Sequence, residues 1–126
     1  MPKKSIHSLL TETEQILMNI LWALKEATVR QILERLPSER SMAYTSASTI
    51  VRILESKKLV KSRKEGKTHI YTPILQKEDF ENHALDHLIS NVFASTPTNL
   101  VRRLISDGKM SDEERQAIKK IIREEF

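Results

Sequence analysis

The side chains best equipped for chemistry lie between Met42 and Pro73. Thr45, Ser46, Ser48, Thr49 and Arg52 share one side of a segment whose other side carries Ala47, Ile50, Val51 and Leu54. The three-and-four spacing of the apolar set predicts a helix with one buried face. Its opposite face holds short hydroxyls beside one guanidinium, with no carboxylate until Glu55. A hydroxyl bonds either donors or acceptors on base edges, and an arginine can clamp the two acceptors of guanine, so this surface suits a major groove. Beyond it the period changes from helical to alternating. Leu59-Val60-Lys61-Ser62-Arg63 and Thr68-His69-Ile70-Tyr71-Thr72-Pro73 flank Lys64-Glu65-Gly66-Lys67, which predicts a β-hairpin with a basic tip. Helix and lysine-tipped ribbon in direct succession are how a winged helix reads in one dimension. A plain helix and hairpin core with lysines that only solvate a loop would share the elements, but not the agreement of polar face, ribbon and charge.

Other chemistry is thinly supplied. His83 and His87 stand four apart, flanked by Asp79 and Asp86, a spacing that can put two imidazoles on one metal ion. No third ligand is placed by the pattern, so ordinary surface histidines are the better reading. The chain has no P-loop, no dinucleotide-binding glycine pattern, no HExxH and no Gly-x-Ser-x-Gly, and its carboxylates fall at caps and solvent faces. An enzyme is not expected, and neither is a cofactor. Zero cysteines exclude disulfides, thiolate metal sites and cysteine nucleophiles together.

The 126 residues suffice for one small domain and an appendage. Residues 1–75 hold 13 Lys and Arg against 7 Asp and Glu, whereas residues 76–126 hold 8 against 10. The basic part is therefore expected to face phosphate and the near-neutral part something else. No run is long enough for a membrane span, and MPKKSIHSLL lacks the apolar core of a signal peptide, so the cytoplasm is the expected location.

These recognition residues need elements to hold them. After a basic lead-in over residues 1–10, Thr11-Glu12-Thr13-Glu14 fits a capping box opening a helix from about Glu12 to Lys25, with Ile16, Leu17, Ile20, Leu21 and Leu24 inward. Thr28-Val29-Arg30-Gln31 repeats the box for a helix to about Leu36, and the hydroxyl-faced helix takes Thr45 to about Lys57. Three helices and a hairpin make a winged-helix domain over residues 1–74. Residues 75–126 read as three further amphipathic helices. The first presents Phe80, Ala84, Leu85, Leu88, Ile89, Val92 and Phe93 before Ser95-Thr96-Pro97 breaks it, the second Leu100, Val101, Leu104 and Ile105, and the third Ile118, Ile121, Ile122 and Phe126. A third capping box, Ser111 to Glu114, opens the last of them. So much apolar surface in about 50 residues marks an interface, and a dimerisation module is expected. The fold class is mainly α with one small β-hairpin.

The strings LTETEQILMNILWALKEATVRQILERL, MAYTSASTIVRILESKKLV, EGKTHIYTP and STPTNLVRRLISDGKMSDEERQAI resemble the penicillinase and methicillin-resistance repressors (BlaI/MecI), with the CopY-type repressors as relatives. The resemblance covers nearly the whole chain. It implies a homodimeric bacterial repressor that binds palindromic operator DNA in a promoter, with antibiotic resistance the best-known setting. Carried over by residue, it puts the recognition helix at Tyr44 to Lys57 and the wing at Arg63 to Lys67. The residues expected on DNA are Thr28, Arg30, Tyr44, Thr45, Ser46, Ser48, Thr49, Arg52, Arg63, Lys64 and Lys67. Those expected at the dimer interface are Phe80, Ala84, Leu88, Val92, Phe93, Leu100, Leu104, Ile118, Ile121 and Ile122.

Three departures stand out. Many relatives have glycine after the recognition helix where this chain has Lys58. Their sensor protease cuts an Asn-Phe bond, and the aligned pair here is Arg103-Leu104, so a membrane sensor protease is a partner the family implies without its scissile pair. The CopY-type relatives bind metal through cysteines that this chain lacks. A metal-responsive repressor using His83 and His87, and an adaptor that binds protein instead of DNA, are the alternative readings.

Overall fold

A computed structural model describes residues 10–94 and 96–125. The basic lead-in up to residue 9, Ser95 in the helix break, and Phe126 lie outside the described residues. The elements follow the order α1 Glu12–Leu24, α2 Val29–Glu34, α3 Tyr44–Ser56, β1 Val60–Glu65, β2 Thr68–Pro73, α4 Lys77–His87, a π-helical turn Leu88–Val92, α5 Pro97–Ser106 and α6 Asp112–Glu125. A mostly helical chain with one antiparallel hairpin is the fold class that the residue pattern predicts.

Both N-terminal capping boxes form. The Glu14 amide donates to Thr11 Oγ1 at 3.1 Å while the Thr11 amide donates to Glu14 Oε1 at 2.7 Å. Thr28 and Gln31 make the same pair of bonds at 3.2 and 2.9 Å, which fixes where α2 begins. At α6 the Glu114 amide donates to Ser111 Oγ at 3.2 Å. Each bond answers an amide that the first helical turn leaves without a partner.

The chain divides into two compact units, Met1–Ala84 and Leu85–Phe126. In the first, Leu17, Met18 and Leu21 of α1, Ile32 of α2, Val51 and Leu54 of α3, and Val60 of β1 are all but closed to solvent. The hairpin pairs Val60 with Pro73 through to Glu65 with Thr68. A two-residue connection, Gly66-Lys67, joins the strands, shorter than the four-residue turn expected. Gly66 takes φ +62° at its first central position, the left-handed backbone that glycine adopts without strain and that a type II′ turn needs there. The hairpin is also tied to the loop between α1 and α2, because Ala27 and Tyr71 exchange backbone bonds of 3.0 and 2.8 Å.

Phe80 departs from its expected place on a dimer face. It is buried in the first unit, its ring 5.7 Å from that of Trp22, and Trp22 Nε1 donates to the Leu75 carbonyl at 2.8 Å. The boundary between units therefore falls inside α4, after Ala84, because the start of that helix completes the first core. The second unit is of another kind: beyond Phe80 no described residue is buried. Leu88, Phe93, Leu100, Leu104 and Ile118 are half-buried, while Leu85, Val92, Val101, Ile105, Ile121 and Ile122 are exposed.

Candidate nucleic-acid interface

α3 is aimed by packing on one side only. Ala47, Val51 and Leu54 bury its inner face, which leaves Tyr44, Thr45, Ser46, Thr49 and Arg52 in solvent and Ser48 half-buried. The Thr49 hydroxyl donates to the Thr45 carbonyl at 2.9 Å, so its oxygen lone pairs are the part that faces outward. Ala43 stands at the N-cap with no side-chain oxygen to offer the first-turn amides. Ile53, 44% exposed, adds an apolar edge that the residue pattern did not single out.

The far end of α3 is anchored by charge. Lys57 Nζ lies 3.0 Å from both carboxylate oxygens of Glu14, the one buried charged residue described, and so ties the end of α3 to the start of α1. Burial pushes the Glu14 carboxyl up, but the Thr11 amide and the Lys57 ammonium together outweigh it and hold the group below its ordinary range. Glu55, on the last turn, accepts a 2.6 Å bond from the Ser62 hydroxyl of β1, which sets the hairpin against α3.

Between α3, the start of α2 and the hairpin lies a cleft of about 450 Å³. Thr28, Arg30, Tyr44, Ser48, Arg52 and Lys67 line it, six of the eleven side chains expected on DNA. Arg30 lies over the Tyr44 ring, 6.0 Å from its centroid, which is cation–π distance. Thr45, Ser46 and Thr49 lie outside the cleft on the exposed helix face, and Lys64 is exposed on β1. Arg63 is engaged elsewhere. Its guanidinium clamps Glu26 at 2.8 and 3.2 Å and reaches Glu65 at 3.5 Å, and that clamp lowers the Glu26 carboxyl below its ordinary range.

The cleft also contains side chains that the sequence reading missed, Val29, Thr68, His69 and Tyr71. His69 and Tyr71 alternate along β2, their rings 6.5 Å apart, and only the hairpin register brings them to the α3 side. Burial pushes the Tyr71 phenol up, with Glu55 and Tyr44 adding to it and Arg52 opposing. Neither His83 nor His87 makes a comparable site. His87 Nδ1 lies 2.7 Å from Asn91 Nδ2, His83 is exposed, and among the described residues no three His, Asp or Glu side chains cluster as metal ligands. No described helix is long and apolar enough to cross a membrane.

The comparison with known families decides what this arrangement belongs to: the model of the penicillinase repressor family matches residues 10–124. The chain belongs to the penicillinase repressor family. It is similar to the transcriptional regulator BlaI of Mycobacterium tuberculosis, 32% identical over 84 residues, which is 66% of this chain and 55% of that protein. The chain thus spans about half the length of that relative. The methicillin resistance regulatory protein MecI of Mammaliicoccus sciuri is 21% identical over 90% of this chain and 92% of its own length. Among solved structures, the DNA-binding domain of the repressor BlaI superposes with a TM-score of 0.51 at 20% identity, covering 62% of this chain and 93% of that one, and it shares the winged-helix fold. Penicillinase repressors are regulators and not enzymes.

Proposed function

We propose that this member of the penicillinase repressor family is a homodimeric transcriptional repressor that binds inverted-repeat operator DNA through α3 and the hairpin. The observation that carries the reading is the cleft. Arg30, Arg52 and Lys67 come from three elements to one concavity beside a hydroxyl-lined helix, and none of the described residues lining it is acidic. In this reading Thr45, Ser46, Ser48, Thr49 and Arg52 meet base edges, and Lys64 and Lys67 neutralise phosphates. Arg63 contributes by bracing the wing on Glu26.

The second unit supports the homodimer. Its helices are amphipathic and yet bury nothing that is described, so Val92, Val101, Ile105, Ile121 and Ile122 remain in water until a second copy covers them. Two heads on one dimer core prefer half-sites about one or two helical turns apart, since each first contact raises the effective concentration for the second. Repression then needs only an operator that overlaps a promoter. The family's membrane sensor protease is not part of this proposal, because Arg103-Leu104 stands where those relatives carry Asn-Phe and Arg103 pairs with Asp107 at 3.8 Å.

Selection of bound duplexes from a random-sequence pool tests the proposal. The expected product is an inverted repeat with a fixed spacing. Recovery of unrelated sequences, or of a single unrepeated half-site, would contradict it.

A further inference from the structure

His69 is the one imidazole among the described residues that line the cleft. It stands on β2 opposite Lys64 of β1, beside Tyr71, and shares the concavity with Arg30 of α2, Tyr44 and Arg52 of α3, and Lys67 of the turn. Glu55, whose charge acts on the Tyr71 phenol, is bonded to the Ser62 hydroxyl. Glu65, at the foot of the turn, is paired with Arg63. Nothing acidic among the described lining residues competes for the cations, so the cleft lacks a counter-charge that a bound anion would supply.

We propose that this cleft holds one backbone phosphate of duplex DNA, with His69 as a ligand to it, and that DNA binding is therefore coupled to uptake of one proton. The inference rests on the repressor reading and adds to it a specific seat for the phosphate and a pH response. The balance of charge gives the direction. With the cleft empty, a proton on His69 adds a positive charge to a site that already holds Arg30, Arg52 and Lys67. With a phosphate seated there, the same proton gains an ion pair and a donor to an anionic oxygen. Binding and protonation therefore favour each other, and a fall in pH tightens the complex.

The test is fluorescence anisotropy of the full chain with a labelled mixed-sequence duplex of roughly 30 base pairs, read as a function of salt. From about pH 8 to about pH 6 the affinity of the wild type is expected to rise about three- to tenfold. Its dependence of log affinity on log salt is expected to steepen by about 0.9, the value of one extra phosphate contact. His69→Gln removes both changes, and His69→Lys fixes the tight, steep behaviour at both pH values. His83→Gln, on the exposed face of α4, keeps the wild-type response. His69 is exposed, and circular dichroism of each variant checks that its fold is kept. A wild-type affinity that ignores pH, or a pH response that survives in His69→Gln, overturns the inference and leaves the repressor reading standing. Failure of the wild type to bind any duplex at either pH overturns both.

Discussion

Glu14 is a buried carboxylate with two tasks, since it closes the capping box of α1 and receives Lys57 from the end of α3. The sequence showed the first task through its spacing from Thr11. It could not show the second, because a contact across 43 positions leaves no local pattern. The carboxyl is held below its ordinary range by the net of these interactions, so its stabilising effect is fully present above the ordinary carboxylate range, about pH 4.5, and is lost as pH falls through the folded-state value. Glu14→Gln keeps a capping amide but loses the charge. It is expected to lower stability by about 1–2 kcal/mol at neutral pH, with the gap to wild type closing in acid. Denaturant melts at about pH 7 and pH 4 measure this. A gap of equal size at both pH values would show that the charge contributes nothing.

At the scale of elements, α3 ends on Lys58 in a left-handed conformation, φ +64°. The Lys58 amide donates to the Glu55 carbonyl at 2.9 Å and the Leu59 amide to the Leu54 carbonyl at 3.0 Å, the two bonds of a Schellman close. Glycine takes that backbone freely, whereas a side chain there costs about 1–2 kcal/mol, partly offset by the greater freedom glycine has when unfolded. Lys58→Gly is expected to raise stability by about 0.5–1 kcal/mol in denaturant melts, and Lys58→Ala to change it little. A loss of stability in Lys58→Gly would refute this account of the helix end. Most element boundaries were legible from the chain alone, because capping boxes, the change from period 3.6 to period 2, and Gly66 are local signals. The bridge between Ala27 and Tyr71 was not, since one pair of residues has no period. Phe80 misled for a related reason. Its spacing continues the apolar stripe of α4, and only the tertiary contact with Trp22 assigns it to the first core. His69 was missed at the site because its alternation in β2 names a face without saying what lies opposite.

At the scale of the whole molecule, the two units make different demands. The first has a closed core and presents a cationic concavity, whereas the second shows its apolar residues to solvent. Replacing Ile121 and Ile122 together with Glu should therefore leave the first unit folded while it converts the proposed dimer to a monomer in sedimentation velocity. Affinity for an inverted repeat should fall about a hundredfold as the second head is lost. A variant that stays dimeric would place the interface elsewhere.

In the proposed complex α3 reads sequence while the cations around it hold the backbone. Affinities of wild type, Arg52→Ala and Lys67→Ala for a selected repeat and for its scrambled counterpart test this most directly. Arg52→Ala should lose about 1–3 kcal/mol more on the selected duplex than on the scrambled one. Lys67→Ala should weaken both alike and flatten the salt dependence by about one phosphate contact. Equal losses on both duplexes for both variants would contradict that division of labour.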